Sequence, residues 1–175
     1  LQQPISDLTA TGAPDRAILL SLTNIYGVLA LIFAVSFTIF EGKERHKLVF
    51  LGGISFIILH IVSISYSFFP QDLPGAAPTF TGTMHLVVTA LIVPFTILTP
   101  LLIGFGLKKE KAFNRLGNFS LICGLLIIVF GGLSGYFFAK KLPYFGLVER
   151  INIGTLQIWT FVISYKSLKS RHELH

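Results

Sequence analysis

Five apolar stretches take up most of this 175-residue chain, at about residues 17–40, 49–69, 85–107, 116–139 and 147–166, and short charged or Pro/Gly-rich segments separate them. Runs of roughly 20 apolar residues match the length an α-helix needs to cross a hydrocarbon layer. Inside that layer each crossing must satisfy its own backbone polar groups, which leaves helices as the natural solution. The expected fold is therefore all-α: a polytopic transmembrane bundle of five spans, with residues 1–175 forming a single membrane domain. Composition agrees. Hydrophobic residues make up 53% of the chain and charged residues 13%, with a mean hydropathy of +0.75, whereas a soluble domain carries roughly 25% charged residues. A water-soluble fold is excluded. The chain begins at Leu1 and its one methionine is Met84, so a preceding segment, either a signal peptide or a further helix, is expected.

Charge is distributed unevenly between the connecting segments. Lys43, Arg45 and Lys47 follow the first stretch, Lys108, Lys109, Lys111 and Arg115 follow the third, and Lys166, Lys169 and Arg171 follow the fifth. Arg16, Lys140, Lys141 and Arg150 remain for the opposite face. The positive-inside rule then predicts a cytoplasmic C-terminus and residue 1 on the outer side. The net charge of +6 reflects this topology and the anionic lipid beside it. The basic residues are scattered over short loops, which argues against nucleic-acid binding.

Most features of the stretches read as packing. Cys123 is the sole cysteine, so no internal disulfide forms. Gly131 and Gly135 form a small-xxx-small pair suited to close helix approach, with Gly132 alongside. Pro94 and Pro100 are expected to kink the third span. His60 differs. It lies nine residues before Phe69, which at 1.5 Å per residue places it roughly 13 Å below the outer edge. An ionisable residue at that depth is a functional candidate. The plainer alternative is a neutral histidine hydrogen-bonded to a neighbouring helix, for instance to Asn24.

Polar and ionisable residues gather at the predicted outer face. Asp7, Asp15, Asp72 and Glu149 lie there, and the segment Pro70–Met84 contains Pro70, Pro74, Gly75, Pro78 and Gly82, which makes it turn-rich and stiff. On a helical wheel His85, Thr89, Thr96 and Thr99 fall within about 80° of one another, a polar stripe that should face protein or water. Arg150, Gly154 and Gln157 share one face of the last stretch, with Glu149 and Asn152 on an adjoining one. Glu149 at a helix start also suits the helix dipole.

The segments Ile5-Ser6-Asp7-Leu8, Phe69-Pro70-Gln71-Asp72 followed by Gly82 and His85, and Gly146-Leu147-Val148-Glu149-Arg150-Ile151 resemble the recurring motifs of the domain-of-unknown-function 998 family of prokaryotic membrane proteins. The resemblance covers essentially the whole chain. It implies a six-helix protein whose first helix precedes Leu1, placed in a prokaryotic inner membrane. It also implies that Ser6, Asp7, Asp72, His85, Glu149 and Arg150 belong to one constellation.

Three functional readings follow from that constellation. In the first, a pocket between the third and last spans binds a lipid or small amphiphile, with Asp7, Asp72, His85, Arg150 and Gln157 as ligand-binding residues and Arg150 holding an anionic head group. In the second, the chain is an intramembrane hydrolase or transferase with Asp72, His85 and Glu149 as catalytic candidates. Those three side chains supply the donors of a catalytic zinc site; a metal-free version uses His85 as general base, oriented by Asp72 or Asp7. Against both enzyme versions, no His-xxx-His or Glu-xx-His pair and no nucleophile-elbow serine is present. In the third, a structural or accessory subunit is pinned together by a salt-bridge network in which Arg150 pairs with Asp7 or Asp72. An oligomer is compatible with each.

Overall fold

The computed structural model describes residues 3–172, with side chains as far as Lys169. Leu1, whose side of the membrane the topology specifies, and the side chain of Arg171, counted among the basic residues, lie outside the described residues. The described chain is all-α. A single turn, α1 (Ile5–Leu8), precedes five long helices: α2 (Arg16–Phe37), α3 (Lys47–Ile64), α4 (Phe80–Leu107), α5 (Asn114–Lys140) and α6 (Phe145–His172). A π-helical turn, Thr38–Gly42, extends α2; short 3-10 turns extend α3 through Ser65–Ser67 and precede α5 at Lys111–Phe113.

Four of these units are long and apolar enough to cross a membrane: Arg16–Gly42, Lys47–Ser67, Phe80–Leu107 and Lys111–Lys140. The fifth expected stretch forms α6, which is as long as α4 but falls outside that group. Its apolar residues are diluted by Asn152, Thr155, Gln157, Thr160 and Ser164. Helix α4 also starts earlier than the hydropathy suggests. Thr79 adopts an extended conformation and its side chain accepts a hydrogen bond from the Gly82 nitrogen, an N-cap that brings Phe80–Met84 into the helix. Pro94 and Pro100 both lie inside α4, which continues through them as one element.

The long helices pack in chain order, each against the next, and α2 also touches α6. Their shared core comprises Ala34, Phe37, Val49, Phe56, Leu59, Ile103, Leu107, Cys123, Trp159 and Ile163. Trp159 is fully buried. Its ring meets Phe56 edge to face at 5.3 Å, and its Nε1 donates to Ser120 Oγ at 2.9 Å, so one side chain joins α3, α5 and α6. Around this core the outward faces carry large apolar side chains, including Ile18, Leu22 and Leu29 on α2 and Ile122 and Leu125 on α5.

Close helix approach is built from small residues at places other than the Gly131/Gly135 pair. A Cβ added at Gly106 would sit 2.8 Å from the Val49 nitrogen, and one at Gly52 2.9 Å from the Ile103 nitrogen. These two glycines let the backbones of α3 and α4 meet. A Cβ at Gly132 or Gly135 would meet nothing within 4 Å, and one at Gly131 would make only ordinary contact with Asn152.

Candidate functional site

The bundle brings α1, the end of α3, the start of α4 and the start of α6 together at one end. Glu149, on the first turns of α6, accepts a hydrogen bond at Oε2 from the Ile5 nitrogen at 2.6 Å. That bond satisfies a donor at the start of α1, which has no side-chain cap of its own. Next to it, Arg150 Nη1 donates to the Gln3 carbonyl and to the Gly146 carbonyl, both at 2.7 Å. Residue 146 has to be glycine here, because a Cβ would overlap the Gln3 carbonyl. The Gly-Leu-Val-Glu-Arg motif is thus a cradle for the backbone of the N-terminal segment.

Asp7 is 3% exposed, and its Oδ1 accepts from Gln71 Nε2 at 3.2 Å. The Gln71 carbonyl in turn accepts from the Thr11 nitrogen at 3.3 Å, so the α3–α4 connection and the N-terminal segment hold each other. Burial pushes the Asp7 carboxyl above the usual carboxylate value.

His85, on the second turn of α4, is 8% exposed. Its Nδ1 lies 2.9 Å from the Phe69 carbonyl. A carbonyl oxygen only accepts, so in this bond Nδ1 carries the proton, and in the neutral form of the ring Nε2 is the acceptor. The ring packs on Tyr66 at 4.7 Å. The Tyr66 hydroxyl donates to Thr89 Oγ1 at 3.0 Å, and Thr89 Oγ1 donates to the His85 carbonyl at 2.8 Å. The orienting group for His85 is a backbone carbonyl, where the metal-free enzyme reading named Asp72 or Asp7.

Other expected members go elsewhere. Asp72 accepts from the Thr79 nitrogen at 2.9 Å and from the Thr79 hydroxyl at 2.7 Å, and its carboxylate lies over Gly82, where a Cβ would overlap it. The Thr79 hydroxyl first, and its backbone N–H second, hold the Asp72 carboxyl below the usual range. Asp72 therefore shapes the start of α4. Gln157 is exposed, well along α6 from Arg150. Of the threonine stripe, Thr89 belongs to the cluster, Thr96 turns back to the Val93 carbonyl, and Thr99 is buried against Ser55 at 2.9 Å. Among the described residues no three His, Cys, Asp or Glu side chains are grouped to hold a metal ion, so Asp72, His85 and Glu149 are not gathered as zinc ligands. The expected pairing of Arg150 with Asp7 or Asp72 is replaced by its bonds to carbonyls, and neither of the two ion pairs described between side chains lies at this end.

His60 is buried between the rings of Phe56, at 4.9 Å, and Tyr26, at 6.3 Å. Its Nε2 has no hydrogen-bond partner among the described residues. The expected partner Asn24 instead receives the Ser67 hydroxyl at Oδ1.

Both ion pairs sit at the opposite end of the bundle, where sequence reading saw only loop charge. Arg45 pairs with Glu41 at 2.6 Å and with Glu110, and its guanidinium lies 3.8 Å above the centre of the Phe113 ring. Spacing of Glu41 and Arg45 at i,i+4 was the available signal; nothing in the sequence marked Glu110 as their partner.

Four apolar helices of membrane-crossing length, packed with α6 into one bundle, define a multi-pass helical membrane protein. The chain belongs to the family described as "Protein of unknown function (DUF998)", whose match covers residues 1–166. No curated protein and no solved structure matches it.

Proposed function

We propose that the chain is one membrane domain that binds a small amphiphile or lipid at the α1 end, with the polar group held beneath the N-terminal segment and the apolar part lying among the helices. The observation that carries this reading is the meeting of Asp7, Gln71 and Glu149 at a docked four-residue helix, with the connection that supplies Gln71 also holding His85 Nδ1 through its Phe69 carbonyl. The recognition chemistry differs from an anion clamp. Arg150 Nη1 is spent on backbone carbonyls, while two carboxylates and an unprotonated imidazole nitrogen favour a head group that donates hydrogen bonds, such as a hydroxyl or an amine.

In this reading α6 is a fifth crossing. Its 28 residues extend about 42 Å at 1.5 Å per residue, and Ile158, Phe161 and Leu168 face outward. The excess of Lys and Arg at the Arg45 end supports a cytoplasmic position for that end and the C-terminus, with α1 outside.

The test is native mass spectrometry of the detergent-purified chain beside His85→Ala and Asp72→Asn. An amphiphile retained by the wild type and by Asp72→Asn but lost from His85→Ala supports the proposal. Equal retention in all three, or none in the wild type, ends it. A structural reading, in which the cluster only anchors α1, is favoured by the backbone bonds from Glu149 and Arg150, and it predicts the second result.

A further inference from the structure

Between the end of α2 and the start of α3 lies an open groove of about 350 Å³ lined by Gly42, Lys43, Arg45, Lys47 and Phe50. Gly42 closes one unit long and apolar enough to span a membrane and Lys47 opens the next, so the groove lies at the depth of lipid head groups. We infer that it binds the phosphate-bearing head group of an anionic lipid, with Lys43 and Lys47 as the charged contacts and Phe50 against the adjoining glycerol.

Four observations carry the inference. Lys43 and Lys47 are exposed and have no carboxylate partner among the described residues, so their charge is available. Arg45, between them in sequence, is held by Glu41, Glu110 and the Phe113 ring; it does not compete for the ligand, and it fixes the loop that carries both lysines. The groove opens beside the N-terminus of the 18-residue α3, whose dipole adds to the attraction for a phosphate. Its wall is apolar at Phe50, and a Cβ at residue 42 would sit 3.1 Å from the Phe50 Cα, so the glycine keeps the floor close. Lysines flanking an apolar wall at a span end suit a lipid better than a free anion.

The experiment compares phosphatidylglycerol with phosphatidylcholine of the same chains, titrated onto the detergent-purified full chain and counted by native mass spectrometry. The double variant Lys43→Gln/Lys47→Gln is run beside Lys108→Gln/Lys109→Gln, which removes the same charge from the same end. Expected is at least a threefold preference of the wild type for phosphatidylglycerol, lost in the first variant and kept in the second, with both variants melting within a few degrees of the wild type. Equal loss in both variants would assign the preference to diffuse charge and overturn the site. Absence of a preference would overturn it too. Displacement of the lipid by millimolar inorganic phosphate would make free phosphate the ligand and overturn the lipid assignment.

Discussion

Glu149 Oε2 and the backbone nitrogen of Ile5 lie 2.6 Å apart although 144 positions separate them in the chain. The first helix described is thus secured by the last, through a carboxylate that serves as its missing cap. A charge-assisted hydrogen bond of this kind contributes about 1.5–3 kcal/mol. Replacing Glu149 with Gln should loosen α1 while the long helices persist. Hydrogen exchange would then accelerate tenfold or more at Ile5–Ala10 and stay unchanged at Val49–Leu59; uniform protection would contradict the anchoring role.

Gly82 and Asp72 form a second testable pair. A methyl at residue 82 would overlap the Asp72 carboxylate, so Gly82→Ala should cost about 1–3 kcal/mol. Asp72→Ala alone loses the bonds to Thr79 and should lower the melting temperature less than Gly82→Ala does. The double substitution should cost clearly less than the sum, because the clash with residue 82 and the bonds from Thr79 share one carboxylate. Thermal melts of the four proteins in one detergent measure the coupling, and strict additivity would refute it.

Asp7 gives a pH dependence of definite sign. Its folded-state pKa is raised from the ordinary 3.8 by burial, so the native fold favours the protonated form. The associated stability is full below about pH 3.8 and is lost as pH rises through the folded value. Asp7→Asn, which keeps an oxygen for Gln71, should therefore melt higher than the wild type at pH 7, with the difference vanishing toward pH 3.5. Melting curves from pH 3.5 to 7 check this; a variant less stable at neutral pH would reverse the sign.

Arg45 should be the least replaceable cation of the chain. Its removal leaves Glu41 and Glu110 facing each other at a largely buried site, with side-chain exposures of 11% and 32%, and breaking a buried pair costs about 3–5 kcal/mol. Arg45→Ala should approach that range. Arg45→Lys should recover part of it, because an ammonium cannot lie flat on Phe113 or reach both carboxylates as a fork. Lys43→Ala should change stability by less than about 0.5 kcal/mol. Equal effects at residues 43 and 45 would show that the triad contributes nothing.

The helices were legible because apolar runs are long-range signals that survive without knowing any partner. Their ends were less so. The start of α4 depends on Asp72 reaching Thr79, a contact between loop residues that hydropathy does not register. Asp7, His85, Glu149 and Arg150 were found as candidates from polarity near the span ends, but their partners were not. Arg150 and His85 bond to backbone carbonyls of Gln3, Gly146 and Phe69, and every residue has such a group, so sequence carries no mark of which one is used. Gln157 shared a wheel face with Arg150, yet a wheel gives direction around an axis and not what lies opposite. For His60, depth was readable but the Phe56 and Tyr26 rings around it were not.

The π-helical turn at Thr38–Gly42 sets the azimuth of everything that follows α2. One residue of an α-helix turns the chain by about 100°, and a π turn accommodates the extra residue without breaking the helix. Removing Thr38 or Ile39 would convert it to ordinary α geometry and rotate Glu41, together with Arg45, by about 100° relative to the preceding turns of α2, leaving the length of the span nearly intact. Span length and lateral facing are thus set independently in α2, and this short turn acts as the indexing joint between them.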